Sequence, residues 1–369
     1  MPSSADHRPT VLMTADAVGG VWNYALTLCA ALPEFRFVLA VLGPAPSPAQ
    51  RSAIGRLANV VFEEAPYRLE WMAGAEADLA ASRHWLVSLA RRHGAGLVHV
   101  NGYAHARIDM DCPILAVSHS DVLSWWQAVH REPAPAEWDD YRREVAAGLM
   151  MADRIVAPSR AVLDDLARHY ALSRDDALVI PNGIDLAAHM PRSKRPVVMA
   201  AGRLWDAAKN LAVLDEVAAG LAWPVEIAGP ETNPEGGTAR FAAARPLGVL
   251  SPAEMAVRLG RAAIFAAPAR YEPFGLGILE AAASGCALVL GDIPSLRESW
   301  EGAALFVAPD DRATWRSALR HLIEDESDRA LWGFAAQQRA RGFSREAMAG
   351  RYAALYREMV AAPAQREVA

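Results

Sequence analysis

The run from Glu272 to Glu280, Glu-Pro-Phe-Gly-Leu-Gly-Ile-Leu-Glu, sets two carboxylates eight residues apart around one proline and two glycines. It follows an apolar stretch, Ala263 to Ala267, that reads as a strand. Pro273 suits a first helical position, and the glycines let a ligand approach the backbone. Free amides at Phe274, Gly275 and Leu276 would then point out of a helix N-terminus, a ready site for an anion. Glu272 would stand just before that N-terminus and Glu280 two turns deeper, each within reach of a ligand hydroxyl. A helix cap plus a solvated glutamate would use the same residues. In Gly202-Arg-Leu-Trp-Asp-Ala-Ala-Lys-Asn210, a glycine ends a strand, Arg203 follows at once, and Lys209 comes six residues later at a helix start. Two cations at a strand end could clamp a diphosphate, or simply face solvent. Of 37 basic residues only Lys194 and Lys209 are lysine, so Lys209 stands out against a strong arginine bias.

Two further constellations lie earlier in the chain. Asp16-Ala-Val-Gly19-Gly20-Val-Trp22-Asn23 is a strand–glycine–helix opening that could cradle phosphate or form a plain tight turn. It lacks the spaced G-x-G-x-x-G dinucleotide fingerprint. Ser118-His119-Ser120-Asp121 follows the strand Ile114 to Val117, which places His119 for a cleft or for a hydrogen-bonded loop. Trp125 and Trp126, just downstream, could stack on a sugar or lipid, or pack in a core or between domains.

The elements that must position these residues alternate. Short apolar strands are predicted over Thr10 to Ala15, Phe35 to Leu42, Val60 to Phe62, Leu97 to Val100, Ile114 to Ser118, Ile155 to Ala157 and Leu178 to Ile180. Helices are predicted over Val21 to Leu32, Arg83 to His93, Glu137 to Met151 and Arg160 to His169. Ala187 to Pro196 is polar, contains two prolines and reads as a linker in which Lys194 need only meet solvent. The alternation then restarts. Strands are predicted at Val197 to Ala201, Pro224 to Ala228, Leu247 to Leu250, Ala263 to Ala267, Ala287 to Leu290 and Ala304 to Val307. Helices are predicted at Leu211 to Gly220, Pro252 to Gly260, Leu276 to Ser284, Arg312 to Ile323 and Arg345 to Val360. This is the pattern of parallel sheets covered on both faces. It implies an α/β chain of two doubly wound units, with a ligand in the cleft at the carboxyl ends of their strands. The boundaries read are 1–188 plus a returning helix at 345–369, and 189–344.

Composition narrows the function. The chain has 369 residues, 53% apolar and 22% charged, enough apolar material for two cores. Its net charge of −6 argues against a nucleic-acid partner, which favours a basic face. Cys29, Cys112 and Cys286 are far apart and give neither a disulfide framework nor a metal spacing, which fits a reducing cytosol. No stretch of about 18 apolar residues suggests a membrane span, and the first ten residues carry no apolar signal core.

Together these segments resemble the family 4 glycosyltransferases, retaining enzymes of the GT-B type, from about Val11 to Val360. The most specific element is Glu-x7-Glu, Glu272 and Glu280, inside EPFGLGILEAAASGCALVLGD. IPNGID (Ile180 to Asp185), the GRL…KN segment and ADRIVAPS add to it. The resemblance implies two Rossmann-like units, the first for the acceptor and the second for the donor, with the C-terminal helix crossing back onto the first. It implies a nucleoside-diphosphate sugar donor (UDP, GDP or ADP) and no required cofactor or metal. Arg203 and Lys209 would neutralise the phosphates, Glu280 would hold the ribose hydroxyls, and Glu272 would orient the donor sugar. The amides of Phe274, Gly275 and Leu276 would lie near sugar and phosphate, Gly229 and Val249-Leu250 near the base. Gly19-Gly20 would close over the diphosphate, and His119 would face the donor sugar. The catalytic set is thus Glu272, His119, Arg203 and Lys209.

Breaking the anomeric bond leaves a diphosphate of growing negative charge. A site without a metal must compensate it with side chains and helix amides. Retention in this family is attributed to same-face attack, with the leaving phosphate taking the acceptor proton. Glu272 is therefore not read as a nucleophile, and no pair of carboxylates is placed to flank the bond as in a glycosidase. Trp22, Asn23, Trp125 and Trp126 are the acceptor-side candidates. The acceptor expected is a saccharide, a lipid-linked molecule or a small molecule, as in the making of cell-envelope polysaccharide. The acidic first half gives no support to more than peripheral membrane contact from the cytoplasm. A GT-B nucleotide-sugar 2-epimerase and a non-catalytic sugar-nucleotide-binding protein are the competing readings.

Overall fold

The computed structural model describes residues 8–172, 177–233 and 236–361. The expectation for the first ten residues and the last eight residues of the 345–369 segment therefore lie, but for residues 8–10, outside the described part. The first unit holds β1 (Thr10–Asp16), β2 (Arg36–Leu42), β3 (Val60–Ala65), β4 (Leu97–Val100), β5 (Ile114–Val117), β6 (Arg154–Ala157) and β7 (Ala177–Val179). They form one sheet in the order β3-β2-β1-β4-β5-β6-β7. Its helices are α1 (Gly20–Ala31), α2 (Pro48–Gly55), α3 (Glu76–His93), α4 (Val122–His130), α5 (Asp139–Met151) and α6 (Arg160–Tyr170).

The second unit holds β8 (Arg195–Ala201), β9 (Val225–Ala228), β10 (Arg245–Pro246), β11 (Ala262–Ala267), β12 (Ala287–Gly291) and β13 (Leu305–Val307), in the order β10-β9-β8-β11-β12-β13. Its helices are α7 (Ala212–Ala218), α8 (Pro252–Arg261), α9 (Leu276–Ala283), α10 (Pro294–Trp300), α11 (Arg312–Glu324) and α12 (Glu326–Ala340). Every strand pair is parallel. Parallel strands need crossover helices, which cover both faces, so the strands read as continuous apolar runs rather than alternating ones.

The pleat divides β1 between two cores. Val11, Met13 and Ala15 face one and Leu12 the other. The last helix, α13 (Arg345–Ala361), closes the first of these. Its Met348, Tyr352 and Tyr356 are buried with Trp22, Tyr24 and Leu28 of α1. Truncating either buried tyrosine ring would cost about 3–5 kcal/mol. The chain returns beside the point where it left. Ile184 N donates to Phe343 O at 3.2 Å and Arg345 N to Ile184 O at 2.8 Å. A Cβ on Gly183 would meet Ser344 O at 2.3 Å, so the glycine of IPNGID is what lets the two passes touch. Among the described residues no helix is long and apolar enough to cross a membrane.

Three expectations change. The strand placed at Leu247–Leu250 is only the two-residue β10, because Gly248 turns the chain at φ +66° and leaves Val249 75% exposed. The helix placed from Arg83 begins at Glu76, and α2, α4, α10 and α12 were not foreseen. The linker lysine, although exposed, does more than meet solvent. Lys194 Nζ donates to Ala262 O and to Ser284 O, each at 2.8 Å. It ties the last turn of α9 to the start of β11, where a cation suits a helix C-terminus.

Candidate active site

Both sheets point the carboxyl ends of their strands at one cleft. Beyond β8, Arg203 Nε and Nη2 donate to Asp206 Oδ2 at 3.1 and 2.6 Å, and the guanidinium lies 5.4 Å from the ring centroid of Trp205. Asp206 is buried. Burial alone would raise its pKa, but the Arg203 charge and the Ala208 amide outweigh it and hold the carboxyl below its usual range. Its other oxygen accepts from Ala208 N at 2.9 Å and from Trp125 Nε1 at 3.3 Å.

Lys209 Nζ bonds Glu272 Oε2 at 2.5 Å, joining two residues 63 apart in the chain. The stem of Lys209 runs over Gly202, where a Cβ would stand 3.3 Å from Lys209 Cγ. Both expected phosphate-binding cations are thus paired with carboxylates, Arg203 with its side chain 45% exposed and Lys209 22%. Gly229, expected near the base, sits at φ +142°, and a Cβ there would lie 1.8 Å from Gly202 O. Close approach of two strand-end turns therefore demands that glycine, whatever it binds.

The helix after Glu272 starts at Leu276, where the apolar run places it, and not at Pro273, which suited a first helical position. Gly275 takes φ +85° and is the N-cap of α9, and the first i to i−4 bond runs from Leu279 N to Gly275 O at 3.0 Å. The left-handed turn ends helical geometry before Pro273. The amides left open by α9 are therefore those of Gly275, Leu276, Gly277 and Ile278, not Phe274. Phe274 is buried, its ring 5.6 Å from that of Phe343. Glu280 lies one turn further along α9, and burial pushes its carboxyl up to about 7.

The first unit faces this across the cleft. A Cβ on Gly20 would stand 3.8 Å from Leu276 Cδ1, so the Gly19-Gly20 turn meets the N-terminus of α9. Asp16 Oδ1 accepts from Val18 N at 2.8 Å. Burial raises the Asp16 pKa against the opposing pull of the Val18 amide and Arg203. His119 follows β5, with Nε2 2.8 Å from Asn101 Oδ1 and its ring 4.6 Å from that of Tyr24.

Contacts across the cleft hold the units together. Asp121 N donates to Tyr271 Oη at 3.1 Å, and Ser159 Oγ to Pro273 O at 3.2 Å. Glu298 accepts from Arg160 N at 2.8 Å and Ala161 N at 3.0 Å, placing a carboxylate at the positive end of α6.

Of the acceptor-side tryptophans, burial corrects Trp22, whereas Trp125 and Trp126 are half-buried. Trp22 is 5% exposed and belongs to the core under β1. Trp125 spends its indole N–H on Asp206, and Trp126 packs 4.2 Å from the His130 ring. Asn23 is exposed on α1. Asp206, Asn101 and Tyr271 are the site neighbours that spacing did not single out. Only Asp206 carried a local signal, three residues from Arg203.

Such an arrangement offers two cations and a set of helix amides to an anionic group, with carboxylates poised for hydroxyls. Residues 18–188 match the family described as Glycosyltransferase Family 4, and residues 195–325 the family described as Glycosyl transferases group 1. The chain is 31% identical over 207 residues to a glycogen synthase of Mycobacterium tuberculosis (strain CDC 1551 / Oshkosh), covering 52% of this chain and 48% of that one. It is 31% identical over 256 residues to a D-inositol 3-phosphate glycosyltransferase of Corynebacterium efficiens, covering 57% and 58%. The chain thus spans about half the length of the curated relatives it matches. Its fold is that of sucrose-phosphate synthase from Thermosynechococcus elongatus, with TM-score 0.78, 18% identity, and 96% and 100% of the two chains covered. It is equally that of Anabaena HepE, solved with UDP and glucose, with TM-score 0.75, 16% identity, and 95% and 100% covered. Two Rossmann-like units in this pairing are the GT-B architecture.

Proposed function

The chain belongs to the glycosyltransferases of family 4 and group 1, and from that premise we propose that it is a retaining hexosyltransferase. It moves a sugar from a nucleoside diphosphate to a hydroxyl of a saccharide, glycolipid or small-molecule acceptor, without a metal, on the cytoplasmic side of any membrane it serves. The observation that carries this reading is the Lys209–Glu272 pair beside the N-terminus of α9, with Gly20 opposite. An incoming diphosphate takes the place of the carboxylates at Lys209 and Arg203, and the amides of α9 complete its neutralisation. Glu272, released from Lys209, turns to the donor-sugar hydroxyls, and Glu280 accepts from the ribose. As the anomeric bond breaks, charge grows on the phosphate oxygen, where the two cations are worth most.

The relatives suggest a precursor of polysaccharide or of a glycosylated small molecule, and the HepE structures with UDP and glucose support a UDP-sugar as the first donor to try. Thermal denaturation against UDP-, GDP- and ADP-sugars tests the reading, since only a ligand of the folded state raises the midpoint. A rise with one base and its sugars, activity that survives EDTA, and a product anomer matching the donor are expected. No rise with any of them would overturn the reading.

A further inference from the structure

His119 is held by a hydrogen-bond chain whose direction can be read. Asn101 Nδ2 lies 2.6 Å from Thr14 O, and a backbone carbonyl can only accept, so the atom facing it is the amide NH2. The backbone N of the same residue donates to Thr14 Oγ1 at 2.8 Å, locking the side chain's orientation. Asn101 Oδ1 is then the acceptor, with two lone pairs, and both are used. His119 Nε2 stands 2.8 Å away and His99 Nε2 3.2 Å away. Each imidazole must therefore carry its proton on Nε2. Tyr356 Oη, 2.6 Å from His99 Nδ1, donates to it, which ties the network to α13. His119 Nδ1 has no partner among the described residues, and it is not among the buried polar atoms left without one.

We propose that Asn101 is a positioning residue that fixes His119 as a neutral Nε2–H imidazole, leaving Nδ1 as a hydrogen-bond acceptor and not a proton donor. The surroundings agree. The groups packed on the two rings are Tyr24 of α1, Tyr352 and Tyr356 of α13, and the imidazoles themselves. Among the described residues no carboxylate, ammonium or guanidinium bonds to either ring. Burial pushes His119 down to about 4, and burial, reinforced by His119, pushes His99 to about 3. A neutral acceptor suits a sugar hydroxyl and does not add a cation beside an oxocarbenium-like carbon. That use of Nδ1 rests on the transferase reading; the tautomer does not.

The test is 15N NMR of the histidine-labelled full chain at pH 7, with His119 and His99 assigned from the His119→Gln and His99→Gln spectra. The expected result is a neutral His119 protonated on Nε2. Protonation on Nδ1, or an imidazolium at pH 7, overturns the proposal. In Asn101→Asp a carboxylate faces both Nε2–H groups and favours the imidazolium, so the His119 midpoint should rise by about 1–3 pH units. An unchanged midpoint in the folded variant also overturns it. No substrate is needed, so failure here leaves the transferase reading standing, and a failed donor screen leaves the tautomer standing.

Discussion

The two faces of the cleft handle charge in opposite ways. On the first unit's face the environment drives titratable groups toward neutrality. Burial raises Asp16, pushes Glu70 up to about 7, and lowers His99, His105 and His119 to about 3, 4 and 4. On the second unit's face the charges nearest the strand ends are kept and matched, as in Arg203 with Asp206 and Lys209 with Glu272, while Glu280, deeper on α9, is raised by burial to about 7. Asp206 is held below its usual range although it is buried. A face of ion pairs can exchange partners with an incoming diphosphate. A face of neutral imidazoles, amides and phenols can only accept or donate hydrogen bonds, which is what an uncharged sugar or acceptor hydroxyl requires. The division of labour between the units is therefore electrostatic before it is steric.

The largest expected effect tests the charged face. Lys209→Ala should lower kcat/KM by about 10²–10³, the scale of one lost charge-stabilising group, about 2.7–4 kcal/mol. Near-normal turnover would break the contrast. The next separates the faces by pH. Glu280 accepts hydroxyls only as a carboxylate, and its folded pKa is about 7. Donor affinity should therefore fall as pH drops through 7, by up to tenfold per unit, a drop that isothermal titration between pH 8 and pH 5 would record and that Glu280→Gln should abolish. The histidines of the neutral face should add no dependence in that range, because they titrate near 3 and 4, and any part due to Glu70, raised to about 7, is the part that survives in Glu280→Gln. The smallest concerns the strut between the faces. Trp125→Phe keeps the ring but removes the donor to Asp206, a bond worth about 1 kcal/mol, so donor Kd should rise a few-fold with the fold intact. No change would show that the charged face needs nothing from the neutral one.

Much of the architecture was legible because it is written locally. Apolar runs of four to seven residues between glycines and prolines mark parallel strands wherever they fall, and the strands foreseen are close to those formed. The unforeseen helices were not equally hidden. Ser47 and Gln50 form a capping box around Pro48, a signal present in the residues of α2. In α4, by contrast, Val122, Trp125 and Trp126 are poor helix formers, and only Asp121, accepting from Ser124 N at 2.7 Å, caps them. The start of α9 at Leu276 was legible from the apolar run, whereas the first turn that Pro273 favours does not form, because Gly275 adopts the left-handed geometry that forbids it.

By itself the sequence determined what eight or nine consecutive residues can carry: two alternating α/β units, Glu272 and Glu280 about one helix start, Arg203 and Lys209 on one strand end. Only the tertiary structure decided who meets whom. His119 meets Asn101 at a separation of 18 residues, Trp125 meets Asp206 at 81, and His99 meets Tyr356 at 257. The two lysines show the difference. Lys209 could be picked out from its neighbours, whereas Lys194 looked idle until two carbonyls, 68 and 90 residues away, closed on its ammonium. Periodicity reports which way a side chain faces, but a hydrogen bond needs a partner within about 3 Å and in line. Nothing short of the folded chain sets that distance.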